Sequence, residues 1–229
     1  MTHASAGIVL QARFGSTRLP GKALATIGGI SLLERCLRRL LLARVGQVVL
    51  ATTTLAEDDV LAAVAARMGI GVYRGSADDV LGRYLAAARA FQFDVVIRAT
   101  GDNPAVDTAA PRRVLRGLGA ADYVCEDGLP YGGGVEAVRL SALSRAAAEA
   151  TTSADREHVT TFVRERPEVF DVVRLAAPRP LNRPDVRVTV DTNHDLAHVR
   201  QLFAHTTSAE PPLRELITAS DWCSRSVAV

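Results

Sequence analysis

Short apolar runs alternating with amphipathic helical stretches constrain this chain more than any other feature. Residues 7–12 (GIVLQA), 47–53 (QVVLATT), 71–73, 94–99 (DVVIRA) and 122–125 are near-continuous in apolar or β-branched side chains. Strands that do not alternate polar with apolar are buried on both faces, the condition of a parallel sheet covered by helices. Between them, residues 31–43, 57–68, 77–90 and 108–118 place apolar residues at helical spacing. Ser31, with Glu34 three positions on, reads as an N-cap, and Asp78 and Asp79 stand near the positive end of the third helix. The order strand, helix, strand, helix specifies an α/β fold with a mainly parallel central sheet.

From residue 126 the rhythm changes. A glycine-rich turn (Gly128, Gly132 to Gly134) leads to a strand at 135–139, helices around 140–150 and 154–166, a proline-rich excursion, a strand at 187–190 and a helix at 193–204. No linker or repeat divides the chain, so a single domain over 1–229 is expected. Its core spans 7–204, an acceptor-facing and dimer-forming region 126–184, and a tail of undetermined order 205–229. No charge-free apolar run approaches the ~18 residues of a membrane span, and nothing before Arg13 resembles a signal peptide. A net charge of +2 does not announce a nucleic-acid partner. Cys36, Cys125 and Cys223 lack metal-ligand or disulfide-framework spacing, which fits a reducing cytoplasm.

Ligands of open α/β sheets sit beyond the carboxyl ends of the strands, and three chemistry-bearing segments fall there. The first is Arg13-Phe-Gly-Ser-Thr-Arg-Leu-Pro-Gly-Lys22. It combines backbone-permissive Gly15, the hydroxyls of Ser16 and Thr17, the guanidiniums of Arg13 and Arg18, and an ammonium. Of 27 basic residues Lys22 is the single lysine, a compact charge suited to a site among phosphate oxygens. Exposed amides and three cations make a nest for a polyphosphate. The loop is not a P-loop, because five residues separate Gly15 from Gly21 and Ala23 stands where a magnesium-binding hydroxyl belongs. The second segment is Arg98-Ala-Thr-Gly-Asp-Asn-Pro104, whose Asp102 suits a hard divalent cation such as Mg2+. By itself the string serves as well for a turn in which Asp102 bonds its own backbone. The third carries Asp191 just past residues 187–190, where a metal ligand and a helix cap are equally good readings. Together Asp102 and Asp191 supply the pair that a magnesium–nucleotide complex needs.

The string Gln11-Ala-Arg-Phe-Gly-Ser-Thr-Arg-Leu-Pro-Gly-Lys22 resembles the opening of the CMP-sugar synthetase superfamily, which includes the 3-deoxy-manno-octulosonate and acylneuraminate cytidylyltransferases. The branch it most resembles is the spore coat polysaccharide biosynthesis protein F type. The resemblance continues through Ala51-Thr-Thr-Thr54, Tyr73-Arg-Gly-Ser-Ala-Asp-Asp-Val-Leu-Gly-Arg-Tyr84, the Asp102 segment, Val135-Glu136, Asp155-Arg-Glu-His-Val159 and Thr189-Val-Asp-Thr192. It implies a three-layer nucleotide-diphospho-sugar transferase fold (GT-A-like, Rossmann-like), CTP as substrate, Mg2+ as cofactor, and a homodimer. By position, Arg13, Arg18 and Lys22 would hold the triphosphate, and Asp102 and Asp191 the metal. Ala12, Gly15, Ser16, Ser76, Asp78, Asp79 and Thr100 would border the nucleotide. Gly134, Glu136, Arg156 and His158, with Arg98, would face the acceptor. Relatives commonly carry an acidic residue before the Val-Glu pair, where this chain has Gly134, a departure that leaves an acidic sugar and a phosphonate both open as acceptor.

The implied reaction is CMP transfer from CTP to a small anionic acceptor, with pyrophosphate leaving. A glycosyltransferase of related fold and a non-catalytic nucleotide-binding protein are the alternatives. Several other residues read as structural. His194 and His198 stand i, i+4 but lack the third histidine of a metzincin and are expected on a helix surface. Cys36 is expected in the core, and His158 as a buried structural histidine. Arg35, Arg38, Arg39 and Arg44, like Arg112, Arg113 and Arg116, read as solvated helix edges. Arg98, inside a buried strand, requires an anionic partner.

Overall fold

The computed structural model describes residues 4–226. β1 (Ala6–Gln11) leads through a loop to a short hairpin, β2 (Thr26–Ile27) and β3 (Ile30–Ser31), and then to α1 (Leu32–Leu42). There follow β4 (Gln47–Thr53), α2 (Asp59–Arg67), β5 (Gly71–Gly75), α3 (Val80–Ala90), β6 (Val95–Thr100), α4 (Ala110–Leu118) and β7 (Tyr123–Asp127). The second half holds β8 (Glu136–Arg139), α5 (Leu140–Glu149), α6 (Ser153–Glu157), α7 (Thr161–Arg164), β9 (Val172–Ala176), α8 (Asn193–Ala204) and α9 (Leu213–Ser226). Seven strands form one sheet in the order β5-β4-β1-β6-β8-β7-β9. All neighbours pair parallel except β8, which is antiparallel to both β6 and β7.

The pleat divides each apolar run between two layers. Ile8, Leu10, Val48, Leu50 and Ile97 pack with α1, α2, α4, α8 and α9 on one side. Val9, Val49, Ala51 and Val96 pack with α3, α5 and α7 on the other. Each fully buried aliphatic side chain contributes roughly 1.5–3 kcal/mol, so a sheet covered on both faces is the arrangement these strands require. Ser31 accepts from the Glu34 amide at 3.3 Å and caps α1, as expected. Parallel pairing aligns Gln11 with Ala51 and with Thr100, which brings the ends of β1, β4 and β6 to one edge. Gly101 follows from that closeness. Its amide donates to Gln11 O at 2.8 Å, and a Cβ there would stand 2.8 Å from Ala12 Cβ.

Several expectations are corrected. Residues 187–190 are not a strand, because after a single bridge between Tyr131 and Arg187 the segment bonds loops instead of a ladder. The helix expected at 154–166 is two pieces, broken at Val159, whose φ of 56° is left-handed. Residues 77–79 belong to a turn, and α3 starts only after its cap, Asp79. β9 and the β2–β3 hairpin carried no recognised pattern.

Among the described residues the tail carries α9, which buries Leu213 and Leu216 against the core. Its tether corrects a further reading, since Arg35 and Arg39 are buried, not solvated. Arg35 donates to Ile27 O and Ala209 O, and Arg39 to Val106 O and Pro211 O, all at 2.7 Å. Arg113 is not a free solvated residue either, because it pairs with Asp107 and Glu126. Cys36 is in the core as expected, with its thiol pushed up by burial. His194 is exposed and His198 half-buried, its pKa lowered by burial and by His194.

Candidate active site

Beyond the ends of β1 and β6, the loop from Arg13 to Lys22 closes one wall of a cavity of about 220 Å3. Ala12, Arg13, Ser16, Arg18, Lys22, Thr100, Asp102 and Asp191 all line it. Part of the loop's array of amides is turned inward. Phe14 N donates to the buried Asp58 carboxylate at 2.6 Å, and Ser16 N and Gly21 N both donate to Phe14 O. Lys22 N donates to Leu19 O. With these amides engaged internally, the loop presents its cations through side chains. Gly15 does not line the cavity and lies beside the exposed Glu57 side chain. Asp58 also accepts from Thr53 N and from the Thr53 hydroxyl, which fixes the loop to the end of β4.

The two carboxylates converge. Lys22 Nζ lies 3.4 Å from Asp102 Oδ2, 3.3 Å from Asp191 Oδ1 and 2.9 Å from Val190 O. Val190 N donates to Asp102 O at 2.8 Å, and Thr189 Oγ1 to the same oxygen at 3.2 Å, which ties residues far apart in sequence into one edge. Thr100 Oγ1 donates to Asp102 Oδ1 at 2.5 Å. Arg18 reaches Asp191 Oδ1 at 2.8 Å and Arg187 reaches Oδ2 at 2.9 Å. Arg187 is itself anchored by Asp195 at 2.7 Å and lies over the Tyr131 ring. Burial pushes the Asp195 carboxyl up, but Arg187, the Thr192 hydroxyl and two backbone amides override it and hold it well below the usual carboxylate range.

A second cavity of about 720 Å3 opens alongside and shares Gln11, Arg18, Thr100, Asp102 and Asp191 with the first. Gly134, Glu136, His158 and Arg98 line it. Arg98 finds its anionic partner in Glu136 at 3.1 Å, whose Oε2 also accepts from Thr160 Oγ1 at 2.6 Å. Burial raises the Glu136 carboxyl, but the Arg98 guanidinium, the Thr160 and Tyr123 hydroxyls and Arg164 together override it and hold the group below the ordinary range. His158, expected buried, is exposed at the cavity wall because the left-handed Val159 turns the chain there.

Ser76, Asp78, Asp79 and Arg156 line neither cavity. Ser76 Oγ accepts from the Asp78 and Asp79 amides, and Asp79 caps α3 through Gly82 N. Arg156 is bound to Asp79 at 3.1 Å and to Ala147 O. In place of that turn, Val80 and the buried Arg83 face the first cavity. Sequence reasoning missed Gln11, Arg83, Asp58 and Arg187. A signal existed for Arg83, one of two arginines in an otherwise largely apolar helix, and for Asp195, which completes a capping box with Thr192. Nothing local marked Asp58 or Arg187.

Residues 6–218 match the family model described as Cytidylyltransferase. The chain is 34% identical over 203 residues to the spore coat polysaccharide biosynthesis protein SpsF of Bacillus subtilis, covering 85% of each. It is 33% identical to an uncharacterized protein of Methanocaldococcus jannaschii, covering 93% of this chain and 89% of that one. A solved cytidylyltransferase from Leptospira borgpetersenii superposes with a TM-score of 0.89 at 30% identity, over 97% of this chain and 96% of the other. A CMP:2-keto-3-deoxy-manno-octonic acid synthetase complexed with CTP shares the fold, with a TM-score of 0.65 at 18% identity over 88% of this chain and 99% of the other. The architecture is therefore the nucleotide-diphospho-sugar transferase fold that the motif resemblance implied. A family match spanning nearly all of the described residues, with relatives above 30% identity along most of their own length, leads to one conclusion: the chain belongs to the cytidylyltransferase family of nucleotidyltransferases.

Proposed function

We propose that the chain transfers CMP from CTP to a small anionic acceptor, an acidic sugar or a phosphonate, and releases pyrophosphate. The observation that carries this reading is the convergence of Asp102 and Asp191 on Lys22, within one cavity that Arg13 and Arg18 also line. The acceptor oxygen attacks the α-phosphorus in line, a new P–O bond forms, and the bond to the β-phosphate breaks with its electron pair leaving on pyrophosphate. Positioning and charge stabilisation supply most of the acceleration in such a transfer. Lys22, Arg13 and Arg18 hold the β- and γ-phosphates and neutralise the charge that builds on the leaving group. Ala12, Ser16 and Thr100 border the nucleotide directly. Gly15 lies in the loop without lining the cavity, while Ser76, Asp78 and Asp79 act at one remove by setting the start of α3, from which Val80 and Arg83 face the nucleotide.

The acceptor occupies the larger cavity, against Gly134, His158 and the wall that the Arg98–Glu136 pair holds in shape. Arg156 stiffens that side through Asp79. A phosphonate oxygen is already ionised at neutral pH and needs no general base, whereas a sugar hydroxyl would release its proton to solvent water as the P–O bond forms; no base role is assigned to His158.

The residues present fit Mg2+. Magnesium is held by one or two carboxylates plus substrate phosphates and water rather than by a full protein cage. Two convergent carboxylates, with no cluster of three or more metal-ligating side chains among the described residues, match that habit. Asp102 and Asp191 would hold the ion, which when bound supplies Lewis-acid polarisation of the phosphoryl oxygens. The family resemblance supports a homodimer, which sedimentation velocity tests. The free thiols of Cys36, Cys125 and Cys223 support a cytoplasmic setting.

Incubation with Mg2+, each nucleoside triphosphate and a panel of acidic sugars and phosphonates, with pyrophosphate as readout, tests the proposal. Pyrophosphate appearing only with CTP and one acceptor class is the expected result. Release of a nucleoside diphosphate from a sugar nucleotide would overturn it in favour of glycosyl transfer.

A further inference from the structure

Asp191 carries more positive charge than one carboxylate needs. Its Oδ1 accepts from Arg18 at 2.8 Å and lies 3.3 Å from Lys22 Nζ, while its Oδ2 is held by Arg187 at 2.9 Å. The three cations differ in how firmly they are seated. Arg187 is fixed on its far side by Asp195 and stacked on Tyr131, so Oδ2 has a permanent partner. Arg18 is two-thirds exposed, and Asp191 Oδ1 is its one carboxylate contact among the described residues. Lys22 is largely enclosed, and its ammonium sits between Asp102 Oδ2 and Asp191 Oδ1, the two oxygens that would meet a divalent ion. A unit charge and a double charge cannot share those oxygens without strong repulsion at such distances.

We propose that Lys22 is the resident counter-cation of the metal site, and that the site becomes available to a divalent cation only when nucleotide phosphates draw the ammonium away from Asp102 and Asp191. This rests on the nucleotide reading above. It makes metal and nucleotide binding mutually reinforcing, because each ligand removes the obstacle to the other. It also gives the single lysine of a chain otherwise basic through arginine a second task. A flexible ammonium on a four-carbon stem changes partners more readily than a planar guanidinium committed to bidentate contacts.

Titration with Mn2+ alone, followed by electron paramagnetic resonance of the free ion, reads this without turnover. Lys22→Met should bind Mn2+ in the absence of nucleotide about 10- to 100-fold more tightly than the unaltered chain, the usual span of a coupling between two ligands. Equal affinity in the two proteins overturns the proposal. A second measurement needs no variant. With lysine labelled by 15N or 13C, the ε-position gives one side-chain signal, and CTP added in the presence of a chelator should shift it as the contacts to Asp102 and Asp191 are lost. CTP that binds by calorimetry while leaving that signal unmoved also overturns the proposal. Should CTP produce no heat at all, the nucleotide reading fails, and the Mn2+ comparison still decides whether Lys22 blocks the metal site.

Discussion

Replacing Glu136 by alanine tests whether the wall of the larger cavity is built or merely decorated with charge. The carboxylate lies 3.1 Å from Arg98 and 2.6 Å from the Thr160 hydroxyl, and both members of the ion pair keep only 17% side-chain exposure. Arg98 Nε already has no hydrogen-bond partner among the described residues. Removing Glu136 therefore strands a guanidinium in the centre of the sheet. Breaking one side of a buried pair costs about 3–5 kcal/mol, and residual water access puts this case near the lower end. With a urea dependence of about 2–3 kcal/mol per molar, the unfolding midpoint should fall by about 1 M or more. The double replacement Arg98→Met with Glu136→Leu should recover most of that loss, because an apolar pair of similar volume is close to neutral in such sites. An unchanged midpoint for Glu136→Ala, accompanied by a raised acceptor KM, would refute the reasoning and make the carboxylate a direct acceptor contact. The same pair gives a pH signature. Glu136 titrates below its ordinary 4.5 in the folded chain, so its stabilisation is present above that pH and is lost as the pH falls through the folded value. The single variant should show a shallower loss of stability between pH 5 and acid than the unaltered chain.

Three further outcomes are expected. Lys22→Ala should lower cytidylyl transfer by orders of magnitude while leaving the circular dichroism spectrum intact; retention of full turnover would contradict the phosphate role. Arg39→Met orphans Val106 O and Pro211 O at about 1–3 kcal/mol each, so the melting temperature should drop by roughly 5 °C or more, and proteolysis should open residues 205–212 first. Asp58→Ala releases the Phe14 amide and loosens the phosphate loop, so the KM for nucleotide should rise about tenfold with a smaller change in kcat; a change confined to kcat would contradict a positioning role.

The sheet was legible in the sequence to the extent that its strands are buried on both faces. Residues 47–53 and 94–99 could be read because near-continuous apolar runs have few other homes, and β4 has the bounds expected of it. The edge strand β9 could not, since its Val172, Arg174 and Ala176 remain partly exposed and its pattern is that of any half-solvated segment. Residues 187–190 misled for the opposite reason. Val188 and Val190 are buried as a strand's would be, yet the backbone is occupied by Tyr131 and Asp102, two loops whose arrival no local pattern reports. The site followed the same division. Lys22, Asp102 and Asp191 each carried a chemical signature that singled them out as candidates, and the structure brings them together, whereas the contacts of Arg35, Arg39 and Arg187 could not be read, because an arginine aimed at distant backbone carbonyls or at Asp195 has the same sequence appearance as one in water.

That ambiguity is sharpest in a chain that uses arginine for nearly every positive charge. A guanidinium can be buried wherever carbonyls or carboxylates complete its fork, and Arg39, Arg83 and Arg98 each stand in a different structural layer on that principle. Lysine has no such fork, and an enclosed ammonium keeps its charge where carboxylates balance it. Lys22 stands between two of them in the wall of the smaller cavity. Replacing Lys22 by arginine should therefore not be conservative. A larger, planar, bidentate cation would hold Asp102 and Asp191 more firmly than the ammonium does, and nucleotide affinity should fall in Lys22→Arg even though the charge is kept. Nucleotide binding at the unaltered level in that variant would mean that charge alone, without the exchange of partners, is what the site requires.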